Sequence, residues 1–341
     1  MPYSDALHMK AILTEELERH APFRTYLDNV TRSMVSASQK QKAPMPWRTG
    51  EEVRQALLGY LLSSETFYIS PDMTSVAIAA AESLPLDSVV LPQHVPTLRG
   101  FLWLPEPVRV YDVRNQILSL NAVAWSVENG GVHVWWLTDK YDKVDSSNLF
   151  LLNAGHDIST WPRLSPMHYA RIRFNTPLPS TVQLKGQKII PPDVEVTTRR
   201  EGDALVISIN DDGMTQEDLE LVEAPAKDLR FLTVVWRLMG QTLADVREET
   251  RMPKATRRLV QRTNLPDSKV SVILLRHKSR PTDGHREVQW THRWLVRGYW
   301  RRQWYGSGEN RYSDDIWIHP HIKGPEGAPI LIRDHINALV R

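Results

Sequence analysis

The chain has no cysteine in its 341 residues. Disulfides, cysteine-ligated zinc and thiol nucleophiles are therefore excluded. Long apolar runs are missing too; none approaches the ~20 residues of a membrane-spanning helix. The opening residues, M-P-Y-S-D-A-L-H-M-K, place no apolar run behind basic side chains, so no secretory signal is expected. The expected location is the cytoplasm of a bacterial host, with no membrane partner. Several catalytic signatures are absent as well. There is no G-x-x-x-x-G-K-[ST] phosphate loop, no G-x-S-x-G nucleophile elbow and no H-E-x-x-H pair. No internal repeat or long low-complexity segment is present, and no cofactor is implied.

What is present is unevenly distributed. A net charge of +2 conceals an acidic front and a basic back. Met1 to Val222 holds 20 Lys+Arg against 27 Asp+Glu, and Glu223 to Arg341 holds 22 against 13. Such asymmetry permits contact with nucleic acid. The bias peaks between His285 and Pro325, which holds five of the twelve Trp and four of the twelve His. Arg286, Arg293, Arg297, Arg301, Arg302, Arg311 and Lys323 lie in the same stretch.

Residues 5–35 read as helix, with Leu7, Ile12, Leu13, Leu17, Leu27, Val30 and Met34 at helical spacing. Pro22 must break or kink it, since proline cannot donate the helical hydrogen bond. Residues 36–48 read as a polar linker. Thr49 then caps a helix with Glu51 and Glu52 in its first turn, where the helix dipole favours acid. Thr66–Ser70 reads as a strand and 72–83 as a helix of small residues. The alternation of I-L-S-L-N-A-V-A-W-S-V-E-N-G-G-V-H-V-W-W-L-T-D predicts a hairpin turning at Asn129–Gly130. Leu229–Thr250 reads as one long helix, with Lys254, Arg257, Arg258 and Arg262 on a short basic helix behind it. Asp139, Asp142 and Asp145 lack the glycine and the glutamate of a calcium loop, so no metal is expected there.

Two chemistries suit the C-terminal stretch. Binding is the better supported. Arg and Lys neutralise phosphates, and aromatic faces stack on unpaired bases. Arg293, Arg297, Tyr299, Arg301, Arg302 and Tyr305, with Lys254, Arg257 and Arg258 on the basic helix, are the candidate binding residues. Strand alternation would turn Trp294, Trp300 and Trp304 inward with Arg302 between them. It would turn Arg293, Arg297, Tyr299, Arg301 and Tyr305 outward. The alternative is an RNase-type toxin. It needs a general base, a general acid and a cation on the phosphate. His319 and His321, two apart in H-P-H, are its catalytic candidates, with His285, His292, Arg297 and Arg301 in reach by sequence.

R-G-Y-W-R-R-Q-W-Y-G (Arg297 to Gly306), followed by I-W-I-H-P (Ile316 to Pro320), resembles an R-G-H-W-x-x-Y/Q-W-x-G…W-x-x-P region. That region belongs to a phage and mobile-element family related to the type V-A anti-CRISPR protein that lowers production of the CRISPR effector nuclease. L-P-E-P-V-R-V-Y-D-V (Leu104 to Val113) resembles a second segment of it. The order of helical N-terminus, middle strands and long helix before a C-terminal hairpin is also similar. The resemblance implies an accessory protein that recognises the effector's nascent N-terminus, with loss of its messenger RNA. Arg297, Gly298, Trp300 and Trp304 match its motif, with Trp317 in the second part. Tyr299 and Arg301 stand where the family commonly has His.

The expected fold is α+β. Helices fill 1–65, a mostly antiparallel sheet occupies 66–222, and 223–341 holds a long helix and a basic Trp-rich β-hairpin. The expected function is binding of a host protein, a nascent chain or RNA to inhibit a host function, rather than catalysis.

Overall fold

The computed structural model describes residues 3–40, 46–111, 117–142, 144–145, 161–178, 180–184, 195–201, 204–210, 221–265, 269–276, 294–308 and 311–323. Three helices come first: α1 (Ser4–Arg19), α2 (Ala21–Lys40) and α3 (Gly50–Ser63). The break between α1 and α2 falls at His20, which puts Pro22 in the first turn of α2, where its missing N–H costs nothing. Residues 36–40, expected as linker, continue α2. Thr49 caps α3 by accepting from the Glu52 N–H at 3.2 Å, while the Glu52 carboxylate accepts from the Arg48 N–H at 2.6 Å.

A seven-stranded sheet forms the centre. Its strands are β1 (Glu65–Ile69), β2 (Arg99–Tyr111), β3 (Ile117–Glu128), β4 (Gly131–Asp139), β5 (Leu164–Arg173), β10 (Ala244–Glu249) and β11 (Val270–Leu275). The order across it is β10-β11-β1-β2-β3-β4-β5. β1 runs parallel to β2 and β11, and the other neighbouring pairs are antiparallel, so the sheet is mixed and the protein α+β. β3 turns into β4 at Asn129 (φ 49°) and Gly130 (φ 73°), the two left-handed residues of a tight hairpin turn. Pro105 and Pro107 lie inside β2, and the β2–β3 register shifts between Trp103 and Val108. Proline has no N–H to give the ladder, which accounts for the irregularity.

Alternation then decides which layer each residue joins. Phe67, Ile69, Leu102, Leu104, Val123, Trp125, Val134 and Trp136 face one cluster, with α4 (Pro71–Glu82) and α5 (Lys227–Met239). Tyr68, Phe101, Trp103, Ala122, Ala124, Trp135 and Leu137 face the other, with α1, α3 and α6 (Lys254–Arg262). Both faces of the sheet are therefore buried, and the helices form two outer layers.

The helix expected over Leu229–Thr250 is two elements. α5 stops at Met239, Gly240 follows, and Ala244–Glu249 is the edge strand β10. Among the described residues, four two-stranded antiparallel ladders lie outside the main sheet; two of them are β6 (Ser180–Leu184) with β9 (Leu221–Pro225), and β7 (Glu195–Glu201) with β8 (Ala204–Asn210). Among the described residues, no helix is long and apolar enough to cross a membrane.

Candidate nucleic-acid interface

The C-terminal stretch folds back on itself. β13 (Tyr299–Tyr305) pairs antiparallel with β14 (Tyr312–Ile318), setting Trp300 opposite Trp317, Arg302 opposite Asp315 and Tyr305 opposite Tyr312. β12 (Trp294–Val296) and β15 (His321–Lys323) continue the same register, with Val296 opposite His321. Arg297 and Gly298 therefore fall opposite Pro320 and His319, between the two ladders. Pro320 cannot donate a ladder hydrogen bond, so the interruption sits where the sequence requires one.

The root of the hairpin is fixed to α4 and α5. Trp317 is 5% exposed and belongs to the core beneath those helices. Its backbone N–H donates to Gln241 Oε1 at 3.0 Å. The Trp300 ring lies 5.5 Å from that of Trp317, and its Nε1–H donates to the Ala80 carbonyl at 2.9 Å. Gly298 passes against the same indole, and a Cβ there would overlap the Trp317 ring.

Charge reinforces the docking. The Arg237 guanidinium, buried on α5, lies 5.7 Å from the Trp300 ring centre and donates through Nη2 to the Val89 carbonyl at 2.8 Å. Its Nη1 faces Asp315 at 3.7 Å. Its Nε and Nη1 make no hydrogen bond, so the pairing with Asp315 is electrostatic. His94 accepts from the Leu91 N–H through Nδ1 and turns Nε2 toward Asp314 at 3.4 Å. Desolvation would raise the Asp314 pKa, but the close approach and charge of the His94 ring, with help from the Asp315 N–H and Arg237, hold it below the usual carboxylate range. Asp314 and Asp315 are thus taken up by the body of the protein.

The far end of the hairpin is free of the core. Trp304, expected inward, keeps the parity of Trp300, but the core ends before it and it is 52% exposed. Arg311 lies over its ring at 4.6 Å. Tyr305 and Tyr312 stack across the strands at 5.4 Å, with Tyr312 58% exposed. Arg301 and Arg302 are exposed beside them. Arg301 donates to Gln303 Oε1 at 3.0 Å, and Arg302 lies 3.8 Å from Asp315. Tyr299 and Arg297 are exposed near the root. The result is a tip with aromatic surface on both strands and cations around it. Arg293 and the side chain of Trp294 lie outside the described residues, as do His285 and His292.

The basic helix does not join this surface. Lys254, Arg257 and Arg258 are exposed on α6, which packs through Leu259 and Val260 on the opposite layer of the sheet. The candidate binding residues thus form two separate patches.

His319 and His321 lie just beyond β14, both exposed, with His321 Nδ1 3.0 Å from the His319 carbonyl oxygen. Partial burial of the ring, and then the charge of His321, hold His319 below the usual histidine range. Among the contacts of the described residues, no carboxylate orients either ring. No group of three or more His, Asp or Glu side chains is placed to hold a metal among the described residues. Asp139 instead pairs with Arg163 at 2.7 Å, and Asp145 accepts from the Ser119 N–H at 2.9 Å.

Sequence reasoning missed His94, Arg237, Gln241, Asp314 and Asp315 as the docking set, and Tyr312 as part of the tip. Tyr312 was within reach: a hairpin turning at G-S-G-E-N brings it opposite Tyr305. A scan against protein-family models finds no match, and a search of the curated proteins finds none.

Proposed function

We propose that this chain is a non-enzymatic binding protein whose hairpin tip holds single-stranded RNA. The observation that carries the reading is the exposed rings on the two faces of the hairpin end, Trp304 with Arg302 and Arg311 on one and Tyr305 stacked on Tyr312 with Arg301 on the other, raised on a hairpin rooted in the core. Each stacked base is worth ~1–3 kcal/mol and tolerates any sequence, and the cations add a term that salt erodes. The rooted base limits the entropy lost on binding, because the aromatic platform is already in place.

The resemblance supplies the setting. It supports a phage or mobile-element accessory protein acting in the bacterial cytoplasm against a host function, CRISPR defence included. A translating complex presents messenger RNA and nascent chain together, and the hairpin would take the RNA.

The test is fluorescence anisotropy with a labelled single-stranded oligoribonucleotide at low salt. Wild-type protein binds, and the Trp304→Ala, Tyr312→Ala double variant binds ~10–100-fold more weakly with unchanged thermal stability. Absence of binding by folded wild-type protein, or equal binding by the double variant, overturns the reading.

A further inference from the structure

The geometry points to a second ligand site, on the opposite layer from the hairpin: a recess beside α6 that takes a nucleoside phosphate. The recess is open and encloses about 580 Å³, within the range of small-molecule sites. Its floor is apolar, made by Met252, Val260 and Leu265. Val260 and Leu265 are 6% and 7% exposed and belong to the core of that layer, so the floor is fixed. Its rim carries Arg257, Gln261 and Asn264, all exposed.

These three rim residues form one stripe. On α6, Arg257 and Gln261 are four apart and meet on one face, and Asn264 follows just past the helix end. None of the three side chains makes a hydrogen bond or ion pair among the described residues. The contrast is with Arg262 on the same helix, whose Nη2 lies 2.7 Å from Glu15. Among the described residues the recess is lined by one cation and no carboxylate. Two uncommitted amides can read the donor and acceptor edge of a base, Met252 offers a polarisable face to its ring, and Arg257 suits a phosphate.

A plainer account covers part of this. Asn264 has φ 52° and ends α6 in the left-handed conformation, with the Leu265 N–H returning to the Val260 carbonyl at 3.4 Å. That explains the backbone and the choice of Asn. It does not explain why an exposed amide and an exposed Arg, neither held by another side chain among the described residues, border an apolar floor. The helix itself is held in place by Thr256, Leu259 and Val260, buried against α1 and its neighbours, so the rim is presented rigidly.

The ligand is a nucleoside 5′-phosphate, either free or as one residue of an RNA strand. Isothermal titration of the full chain with the four nucleoside monophosphates, with inorganic phosphate and with a short single-stranded oligoribonucleotide tests it. At least one monophosphate is expected to bind saturably and ~10-fold or more tightly than inorganic phosphate. Arg257→Ala is expected to weaken it ~10-fold, as loss of a charge-assisted hydrogen bond does. Gln261→Ala with Asn264→Gly, which keeps the left-handed backbone, is expected to weaken it comparably. Arg262→Ala, on the same helix but paired with Glu15 and outside the recess, changes it less than ~2-fold, within the range of a remote surface charge. The Trp304→Ala, Tyr312→Ala variant keeps the site, which separates it from the hairpin. Equal affinity for monophosphate and oligonucleotide assigns a free nucleotide. Tighter oligonucleotide binding with the same Arg257 sensitivity in the hairpin variant assigns an RNA residue. No saturable binding of any of these ligands, a monophosphate no tighter than inorganic phosphate, or indifference to Arg257→Ala overturns the site.

Discussion

The hairpin tip and the outer face of α6 are both basic, but they are built differently. At the tip, cations and rings are interleaved: Arg311 covers Trp304, and Tyr305 stacks on Tyr312. On α6 there is no aromatic residue between Lys254 and Leu265, and the cations border an apolar recess instead. The tip stands clear of the core on two strands, whereas the α6 rim lies flat on a helix whose inner face is packed in the core. Positive charge is common to both, so charge does not tell the two apart. Aromatic exposure favours a flexible strand whose bases can stack. A recess favours one small group held from several sides. The basic half of the sequence therefore resolves into two surfaces on opposite layers of one sheet.

The largest effect that sharpens this contrast comes from the root of the hairpin. Trp317→Ala removes a buried ring from the α4–α5 layer and is expected to cost ~3–5 kcal/mol, read by urea denaturation. RNA binding should fall with hairpin docking, while the α6 recess of the folded fraction keeps its ligand. Loss of both together would show that the two surfaces are one unit.

A smaller effect concerns charge at the tip. Arg301→Gln with Arg302→Gln should leave stability within about 0.5 kcal/mol, because both side chains are exposed and Arg302 makes only a long surface pair with Asp315. The slope of log affinity for single-stranded RNA against log salt should flatten by about 0.7 for each phosphate that is no longer neutralised. A slope unchanged by the double substitution would place the phosphates elsewhere and blur the contrast with α6.

Local features of this chain were legible in its sequence. The Thr49 cap and the Asn129–Gly130 turn each depend on a few adjacent residues. Strand parity carried the central sheet, where Trp125 and Trp136 face one layer and Trp135 the other. Helical periodicity ran too far across Gly240, because A-D-V-R-E-E fits a polar helix as well as an edge strand whose exposed face is charged. Parity also set Trp304 with Trp300, but the extent of the core is not a local property. The docking set was the least legible part. His94, Arg237 and Asp314 come together from separations of 77 residues or more, and no spacing rule links them.

The smallest expected effect is a pH dependence confined to the hairpin root. Asp314 has its folded pKa depressed, because His94 and Arg237 favour its charged form more than desolvation opposes it. Linkage then fixes the sign. The stabilisation is fully present above the unfolded carboxylate value of about 3.9 and is lost as pH falls through the lower folded value. The side chain is 38% exposed, so solvent screening keeps the contribution small. Asp314→Asn should leave the acid limb of the stability profile shallower below about pH 4, with no change in the α6 recess. The same substitution should not alter the salt slope of RNA binding, since Asp314 faces His94 rather than the tip. An acid limb identical in wild type and Asp314→Asn would mean that Trp317, Trp300 and Gln241 hold the hairpin without help from the charged pair, and the docking would then be a matter of packing alone.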